Sequence, residues 1–332
     1  MMKFEFFFFS ITSIFLITYL LIRVSHRLNL VDIPNDRSSH KNKIPKIGGL
    51  AMLIALMISL IYLYDSILGI AFIKGLFIVS IIFGILGLLD DIFSLPFLLR
   101  LAIQFLAGLI VAVSINFEQF AGVYSGLYLP FIAAVFYFAW TINAYNFMDG
   151  IDGIATFQAI FYFFTVGLFS ALLGYPEISF YMFLFLSFCL GFLFWNIPIS
   201  KSFLGNSGSY LLGSVIAFSS IKFIELDLGL FWISLMAMSI FHADTVITLL
   251  IRIFNKRKIF SAHKEHLYHL MTEYFDSHIK VTIIYGLANL LFIFPAICLY
   301  LFYDLGVFFI FSSIAFFLTL IYFLFRKIVL LN

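Results

Sequence analysis

The sequence predicts an all-α protein that crosses a membrane many times, as a bundle of about eleven helices. Of its 332 residues, 64% are hydrophobic and only 11% are charged, whereas soluble domains carry about 25% charged residues. Its apolar runs approach the roughly 20 residues that a transmembrane helix needs, whereas strands of a membrane barrel alternate over about 10 residues. The composition therefore excludes a soluble enzyme, a disordered chain and a nucleic-acid-binding protein.

Polar breaks divide the chain into apolar runs, which we interpret as spans of one integral membrane domain covering residues 1–332. The first run lacks a small-residue cleavage site, so we expect a retained helix and not a removed signal peptide. The expected spans cover residues 4–22, 48–64, 70–89, 97–115, 129–145, 155–173, 178–197, 207–224, 229–251, 281–303 and 305–325.

Lysine and arginine residues indicate the orientation, because cytoplasmic loops carry an excess of them. With the N-terminus outside, sixteen of the 19 Lys and Arg residues fall in inner loops or the C-terminal tail. We therefore predict an N-out, C-in arrangement with the functional site on the cytoplasmic face. Cys189 and Cys298 lie inside apolar runs and support neither a disulfide nor a thiolate metal site.

Two adjacent carboxylates, Asp90 and Asp91, stand at the inner end of the third run. They repel each other and meet the negative end of the helix dipole. A divalent cation or a transferable proton would relieve this conflict, and carboxylates beside a span are rarely kept without a function. The alternative is an ordinary acidic helix end that faces water.

The segment from Asn143 to Gly153 carries oxygen-bearing side chains at every third position, on Asn143, Asn146, Asp149 and Asp152. This spacing puts them on one side of a short turn or helix, and the glycines allow a ligand to approach closely. Such hard oxygen ligands suit Mg²⁺, which prefers a few carboxylates together with substrate phosphates. A solvated turn would explain the glycines and the acids but not all four side chains.

Two inner segments are candidates for binding phosphate. The stretch from Phe203 to Ser209 opens a span, and the free N–H groups of a helix N-terminus attract anions such as diphosphate, although Gly and Ser also punctuate ordinary loops. In the first inner loop, Arg37 and His40 are the best phosphate contacts. The lysines of that loop are explained by the positive-inside rule alone.

Three histidines, His263, His266 and His269, recur at every third position in the last long inner loop. In a helix they would share one face. Phosphate contact or proton transfer fits them better than zinc, since no cysteine or carboxylate pattern accompanies them. A plain polar helix is the alternative.

Asp244 lies inside the ninth run, roughly 12 Å from its inner end at Arg252. An ionisable residue at that depth indicates a function, and structural pairing with a buried cation is the competing interpretation. Asp244 also favours a rival function, that of a transporter or lipid flippase, since transporters place charges near the midplane of paired repeats. Nearly all other candidates lie at inner ends, and no internal repeat is visible.

Taken in order, these motifs resemble the polyprenyl-phosphate N-acetylhexosamine-1-phosphate transferase family over residues 35 to 270. They are Asn-x-Arg-x-x-His, Pro-x-x-Gly-Gly, Asp-Asp, Asn-x-x-Asn-x-x-Asp-Gly-x-Asp-Gly, Phe-x-Gly-x-x-Gly-Ser and the histidine loop. The resemblance is closest to the branch that starts O-antigen and related glycans. It implies transfer of a sugar-1-phosphate from a UDP-N-acetylhexosamine to undecaprenyl phosphate in the bacterial cytoplasmic membrane, with release of UMP. The cofactor would be Mg²⁺, with Mn²⁺ as the alternative.

The resemblance also implies roles for individual residues. Asp90 would deprotonate or position the lipid phosphate beside Asp91, and His266 would approach the diphosphate or sugar. Asp149 and Asp152 would contact the uridine, Phe203 would stack on the uracil, and Asn196 would reach the ribose. The residues expected to bind substrate are Arg37, His40, Asn143, Asn146, Asp149, Asp152, Asn196, Phe203, His263 and His269.

One residue departs from the family's pattern. The metal ligand after Phe-x-Gly is normally Asp, but Asn206 stands here, so the expected ligands are Asp91, Asp149 and Asn206. An amide oxygen lacks the charge, so metal affinity should fall. Either another carboxylate compensates, the subgroup tolerates Asn, or the protein is a weakly active or inactive homologue. The sugar is also open: UDP-GlcNAc is the default, with GalNAc or 6-deoxy amino sugars as alternatives. A homodimer is compatible with the sequence.

Overall fold

The computed structural model describes residues 2–25, 27, 30–32, 43–63, 70–116, 128–257, 264–303 and 305–331. Two short strands, β1 (Val31–Asp32) and β2 (Ile44–Pro45), pair antiparallel. The helices are α1 (Met2–Val24), α2 (Gly48–Tyr62), α3 (Ala71–Phe93), α4 (Phe97–Val113), α5 (Tyr128–Phe147), α6 (Ile154–Leu172), α7 (Pro176–Asn196), α8 (Gly205–Leu226), α9 (Leu228–Ala237), α10 (Ser239–Phe254), α11 (Leu267–Phe275), α12 (His278–Ala288), α13 (Phe294–Tyr303) and α14 (Val307–Leu331).

These helices confirm an all-α polytopic membrane protein. Among the described residues, seven helices are long and apolar enough to cross a membrane, counting His278–Tyr303 as one, and the bent pair α9–α10 supplies an eighth. The shorter α2 and α4 are also apolar. Each predicted run coincides with a helix or a joined helix pair. The number of spans and the N-out orientation stay predictions.

The ninth predicted span is bent where a straight helix was expected. α9 ends at Ala237, α10 begins at Ser239, and their axes meet at 58°. Such a break frees carbonyl groups, which inside a membrane need a protein donor. Gln158 of α6 donates its Nε2–H to the Ala237 carbonyl at 2.7 Å, and Asn289 donates in turn to the Gln158 Oε1 at 2.8 Å. Two polar side chains from neighbouring helices therefore support the bend.

α8 is the central helix, and nearly all of its residues are buried. It packs against α3, α5 and α2, and glycines bring the backbones close at its N-terminal end. A Cβ on Gly87 of α3 would lie 2.2 Å from the Asn206 carbonyl oxygen, and one on Gly49 of α2 would lie 2.0 Å from the Gly208 nitrogen. Small residues allow this close packing of membrane helices, so the start of α8 is fixed against α2 and α3.

Candidate functional site

The N-terminus of α8 is held by a carboxylate from α3. Asp91 accepts hydrogen bonds from the backbone N–H groups of Asn206, at 3.1 Å, and of Ser207, at 3.0 Å. Gly205 makes the preceding turn with φ of +74°, a conformation that favours glycine. A negative charge is favourable at this end of a helix. Two of the N–H groups that were candidates for binding diphosphate are therefore engaged by Asp91.

Asp90 lies beside it, buried, with both carboxylate oxygens engaged. Its Oδ2 accepts from Arg100 Nη1 at 2.7 Å, from the Tyr210 hydroxyl at 2.9 Å and from Asn206 Nδ2 at 2.9 Å. Its Oδ1 accepts from the Leu95 N–H at 2.9 Å. Asp90 thus anchors three segments of chain, and its role toward the lipid phosphate stays a prediction.

The side-chain amide of Asn206 is engaged at both ends. Its nitrogen donates to Asp90, and its oxygen accepts from Asn146 Nδ2 at 3.0 Å. Asn146 also donates to the Ser209 hydroxyl at 2.8 Å. Asp90 requires a donor, which fixes the orientation of the Asn206 amide. An ionised aspartate at this position could not donate, so the neutral residue fits this network.

Asp149 is an acid close to Asp91 that has few contacts. It lies half-buried in the loop after α5, and its side chain has no hydrogen bond within the part of the chain that the structure describes. Burial and the charge of Asp91 raise the pKa of Asp149 to about 7. Asn143, one helical turn before Asn146, instead donates to Gln104 Oε1 at 2.5 Å and to the Ala139 carbonyl at 2.7 Å.

An open cavity of about 270 Å³ lies at the end of α3 and the start of α8. Its lining includes two cations, Lys46 and Arg100, together with Asp90, Asp91 and Asn206. Neither cation was predicted from the sequence to belong to the site. Arg100 stands only ten residues after Asp90, at the start of the next run. This short separation in sequence is the feature from which a contact between them could have been predicted. Arginine and lysine are suited to holding phosphate.

The end of the first inner loop reaches this cavity by pairing with the start of α8. The Phe203 N–H donates to the Pro45 carbonyl at 2.8 Å, and the Gly48 N–H donates to the Phe203 carbonyl at 3.1 Å. Lys46, which also pairs with Asp32 at 2.7 Å, and the half-buried Phe203 are therefore neighbours. Arg37 and His40 lie outside the described residues.

The histidine loop is fastened to the Asp149 loop by Tyr268. Its hydroxyl donates to the Phe147 carbonyl at 2.9 Å. Gly150 makes room for it, because a Cβ there would lie 2.1 Å from the Tyr268 oxygen. Burial, followed by the charges of Asp244 and Asp149, raises the pKa of Tyr268 well above its usual range, so the phenol stays protonated as a donor.

His266 lies outside the helix in which the three histidines would share one face. Helix α11 begins at Leu267, and His266 precedes it in an extended conformation with ψ of 149°. The carboxylate of Asp244, from α10, lies at the N-terminus of α11, where it accepts a hydrogen bond from the Leu267 N–H at 2.9 Å. The His266 and His269 rings nevertheless lie 6.0 Å apart. His263 lies outside the described residues.

Asp152 and Asn196 contact a different group of residues and tie loops together. Asp152 accepts from the Ser200 hydroxyl at 2.7 Å and lies 3.4 Å from His278 Nδ1. Burial favours a raised pKa of Asp152, but hydrogen bonds from His278 and Ser200 hold it below the usual range. Asn196 accepts from the Thr156 hydroxyl at 2.8 Å and donates to the Ser202 carbonyl at 3.1 Å. Their predicted contacts with the uridine stay predictions.

The donor set fits a divalent cation that is shared with a substrate. Within the described ranges, no three His, Cys, Asp or Glu side chains converge as a complete metal site. Mg²⁺, however, commonly binds one or two carboxylates together with substrate phosphates. Asp91 and Asp149, which has no hydrogen bond among the described residues, are two such carboxylates. Burial and then the charge of Asp91 raise the pKa of Asp149, and a cation would offset the second of these two causes.

Comparison with known proteins gives consistent matches. Residues 73–224 match the family described as Glycosyl transferase family 4. The chain is 30% identical over 259 residues to the undecaprenyl-phosphate alpha-N-acetylglucosaminyl 1-phosphate transferase of Thermotoga maritima, with 78% of each chain covered. It is 28% identical over 307 residues to a probable undecaprenyl-phosphate N-acetylglucosaminyl 1-phosphate transferase of Bacillus subtilis, covering 87% of this chain and 83% of that protein.

A more distant branch is also similar. The phospho-N-acetylmuramoyl-pentapeptide-transferase of Staphylococcus carnosus is 30% identical over 244 residues, covering 64% of this chain and 71% of that protein.

Proposed function

Because the chain belongs to glycosyl transferase family 4, as one of the polyprenyl-phosphate N-acetylhexosamine-1-phosphate transferases, we propose that it transfers a sugar-1-phosphate from a UDP-N-acetylhexosamine to undecaprenyl phosphate. UMP is the second product, and the lipid-linked sugar starts a cell-envelope glycan such as O-antigen. UDP-GlcNAc is the proposed donor, because the Thermotoga and Bacillus relatives are named for N-acetylglucosamine.

The convergence of separate segments at the start of α8 carries this proposal. Asp91 from α3 contacts α8 directly, Asn146 from α5 contacts Asn206, and Lys46 and Arg100 line the same cavity. Transfer between two anionic substrates depends on positioning and charge neutralisation. Acids, amides and cations gathered in one open cavity supply both.

In the proposed reaction, an oxygen of the lipid phosphate attacks the β-phosphorus of the UDP-sugar. The bond from this phosphorus to the bridging oxygen breaks, and its electron pair leaves with UMP. Lys46 and Arg100 offset the charge of the phosphates. We favour direct attack over a phosphorylated Asp90, because donors already hold both oxygens of that carboxylate.

Asp91 and Asp149 are the proposed holders of Mg²⁺, or of Mn²⁺, with Asn206 as a neutral third ligand. When bound, the ion neutralises charge on the diphosphate. The Asn206 amide would have to exchange its contact with Asn146 to take part, so Asp91 and Asp149 are the principal pair.

The proposed site lies on the cytoplasmic side of the inner membrane, where a nucleotide sugar and a lipid phosphate meet. The rival function as a transporter depended on Asp244. That residue pairs with His266 and starts α11, which accounts for its burial without a transport path. A homodimer stays compatible with this proposal.

UMP release from membrane fractions tests the function. Membranes that contain the protein are incubated with undecaprenyl phosphate, Mg²⁺ or Mn²⁺, and UDP-GlcNAc, UDP-GalNAc or a UDP-6-deoxy amino sugar. We expect lipid-dependent UMP release with UDP-GlcNAc and none from membranes without the protein. No release with any donor would contradict the proposal and favour an inactive homologue.

Variants of two aspartates sharpen this test. Asp90→Asn is expected to abolish transfer while folded protein remains, and full residual activity would contradict its role. Asp227→Asn is the matched control. Asp227 also accepts a helix N-terminal hydrogen bond, from the Leu230 N–H at 3.0 Å, but at the opposite end of α8. Its transfer rate should equal that of the wild type.

A further inference from the structure

Asp244 is a buried carboxylate that the reaction described above does not use. It lies in α10 with 3% of its surface exposed. Its Oδ1 accepts from the Leu267 N–H at 2.9 Å and lies 3.3 Å from His266 Nδ1. Its Oδ2 accepts from the Tyr268 N–H at 3.4 Å. One carboxylate therefore contacts the histidine and the first turn of the helix that follows it.

Two hydroxyl groups also hold Asp244, one from another helix and one from α10 itself. The Tyr285 hydroxyl of α12 donates to Oδ2 at 2.7 Å, and the Thr248 hydroxyl, one turn along α10, lies 3.2 Å from Oδ1. Thr248 is 2.9 Å from the Tyr322 hydroxyl of α14. Side chains from three helices thus fix the position of this carboxylate.

We propose that Asp244 is a positioning residue, which holds the His266 ring in the tautomer and orientation that sugar-phosphate transfer requires. The inference rests on the proposed function, in which His266 meets the diphosphate or the sugar. It adds a residue to that function, since Asp244 itself touches neither substrate.

The tautomer follows from the chemistry of the pair. An ionised carboxylate only accepts hydrogen bonds, so the ring nitrogen that faces Asp244 carries a proton and donates it. Nδ1 of His266 is that nitrogen. Nε2 lies on the opposite edge of the ring and points away from Asp244. Carboxylate–histidine pairs fix ring orientation in this way in catalytic and metal sites.

The His266 ring lies beside the loop after α5, which carries Asp149. The His266 ring stacks on Tyr268 at 5.8 Å and 16°, and its centroid lies 6.4 Å from that of Phe147. Phe147 stands two residues before Asp149, and its carbonyl accepts from the Tyr268 hydroxyl. A ring fixed at Nδ1 therefore lies beside the loop that carries Asp149, one of the proposed holders of the metal ion.

Starting α11 does not by itself explain an acid at this position. Neutral Asn, Ser and Thr serve equally well at a helix N-terminus, and a charge inside a span is costly. The histidine is the partner that gains from the negative charge.

Kinetics of Asp244→Asn separate positioning from a structural role. The variant keeps an oxygen for the Leu267 N–H but loses the charge that orients His266. We expect kcat per folded protein to fall about 10- to 100-fold, as for similar supporting residues, with the KM for the UDP-sugar nearly unchanged. Asp227→Asn, the matched control on the outer side, keeps the wild-type kcat. A wild-type kcat for folded Asp244→Asn overturns the proposal.

Nitrogen NMR of ring-labelled histidine tests the pair without any transfer assay. The full-length protein in lipid is compared with His266→Gln, whose missing signals identify His266. We expect a protonated Nδ1 in the wild type, and an unprotonated Nδ1 overturns the proposal even if Asp244→Asn does not fold. If the wild type releases no UMP while its Nδ1 is protonated, the proposed function fails and the pairing stands.

Discussion

The Asn206 amide donates to the Asp90 carboxylate at 2.9 Å, and this bond joins the start of α8 to the end of α3. The same Asp90 oxygen accepts from Arg100 at 2.7 Å. Position 206 is therefore a hydrogen-bond donor within an ion-pair network, whereas the family's pattern expects an acidic metal ligand there. The first role requires a neutral amide and the second a negatively charged carboxylate, and the difference can be measured.

Asn206→Asp should make the stability of the protein depend on Mg²⁺. The substitution removes a donor to Asp90 and adds a carboxylate close to it, which costs about 1–3 kcal/mol when no cation is present. A divalent cation would restore this loss and bind more tightly than to the wild type. Thermal unfolding in detergent, with and without Mg²⁺, measures both effects.

Asn143→Asp is the control for that experiment. It also places an acid on α5, but beside the neutral Gln104. Its unfolding temperature should not gain additional dependence on Mg²⁺. An equal gain in both variants would show that added charge, and not position 206, creates the effect.

Asp149 should make the metal-free protein less stable as the pH rises from about 4 to 7. Its folded-state pKa of about 7 lies above the ordinary value of 3.8, because of burial and the charge of Asp91. Folding therefore favours the protonated form, so the penalty begins near the unfolded pKa and is complete above about pH 7. Unfolding temperatures from pH 4 to 8 should show this slope in the wild type and a smaller slope in Asp149→Asn, because only the contribution of Asp149 is removed. An unchanged slope in the variant would show that Asp149 does not contribute to the pH dependence.

Gly150→Ala should separate the histidine loop from the Asp149 loop. The new Cβ would lie 2.1 Å from the Tyr268 hydroxyl, which donates to the Phe147 carbonyl. We expect a cost of about 1–3 kcal/mol, as for overpacking of a filled core, together with loss of UMP release. Gly306→Ala is the control, because no atom of the described residues lies within 4 Å of a Cβ there. Equal unfolding temperatures for the two variants would contradict the contact.

The side of the membrane on which each motif lies could be predicted from the sequence, because the lysines and arginines indicate which end of each apolar run faces the cytoplasm. This pattern places Asp91, Asn146 and the start of α8 at the same side, and the structure joins them. The charge pattern does not determine which side chains contact each other. Arg100 and Lys46 were attributed to the positive-inside rule, because a cation beside a span looks the same whether it faces water or a carboxylate.

The break between α9 and α10 was also beyond prediction. Hydropathy is continuous across Met238, which carries no glycine or proline beside it. The donors that stabilise the break come from Gln158 and Asn289, which are distant in sequence. A pattern read along one segment cannot reveal partners on other helices. The same reason applies to Asp244, whose histidine partner lies 22 residues further along.

Gln158→Leu should therefore destabilise the bend and the whole bundle. The substitution preserves size but removes the donor to the Ala237 carbonyl and the acceptor for Asn289. An unsatisfied buried polar group costs about 1–3 kcal/mol, and two are created here. Thr165→Val is the control, since Thr165 is buried on the same helix and its hydroxyl has no partner among the described residues. Its unfolding temperature in detergent should equal or exceed that of the wild type, because it removes a buried hydroxyl and leaves no new unsatisfied group. If Gln158→Leu is as stable as Thr165→Val, the bend does not depend on these hydrogen bonds.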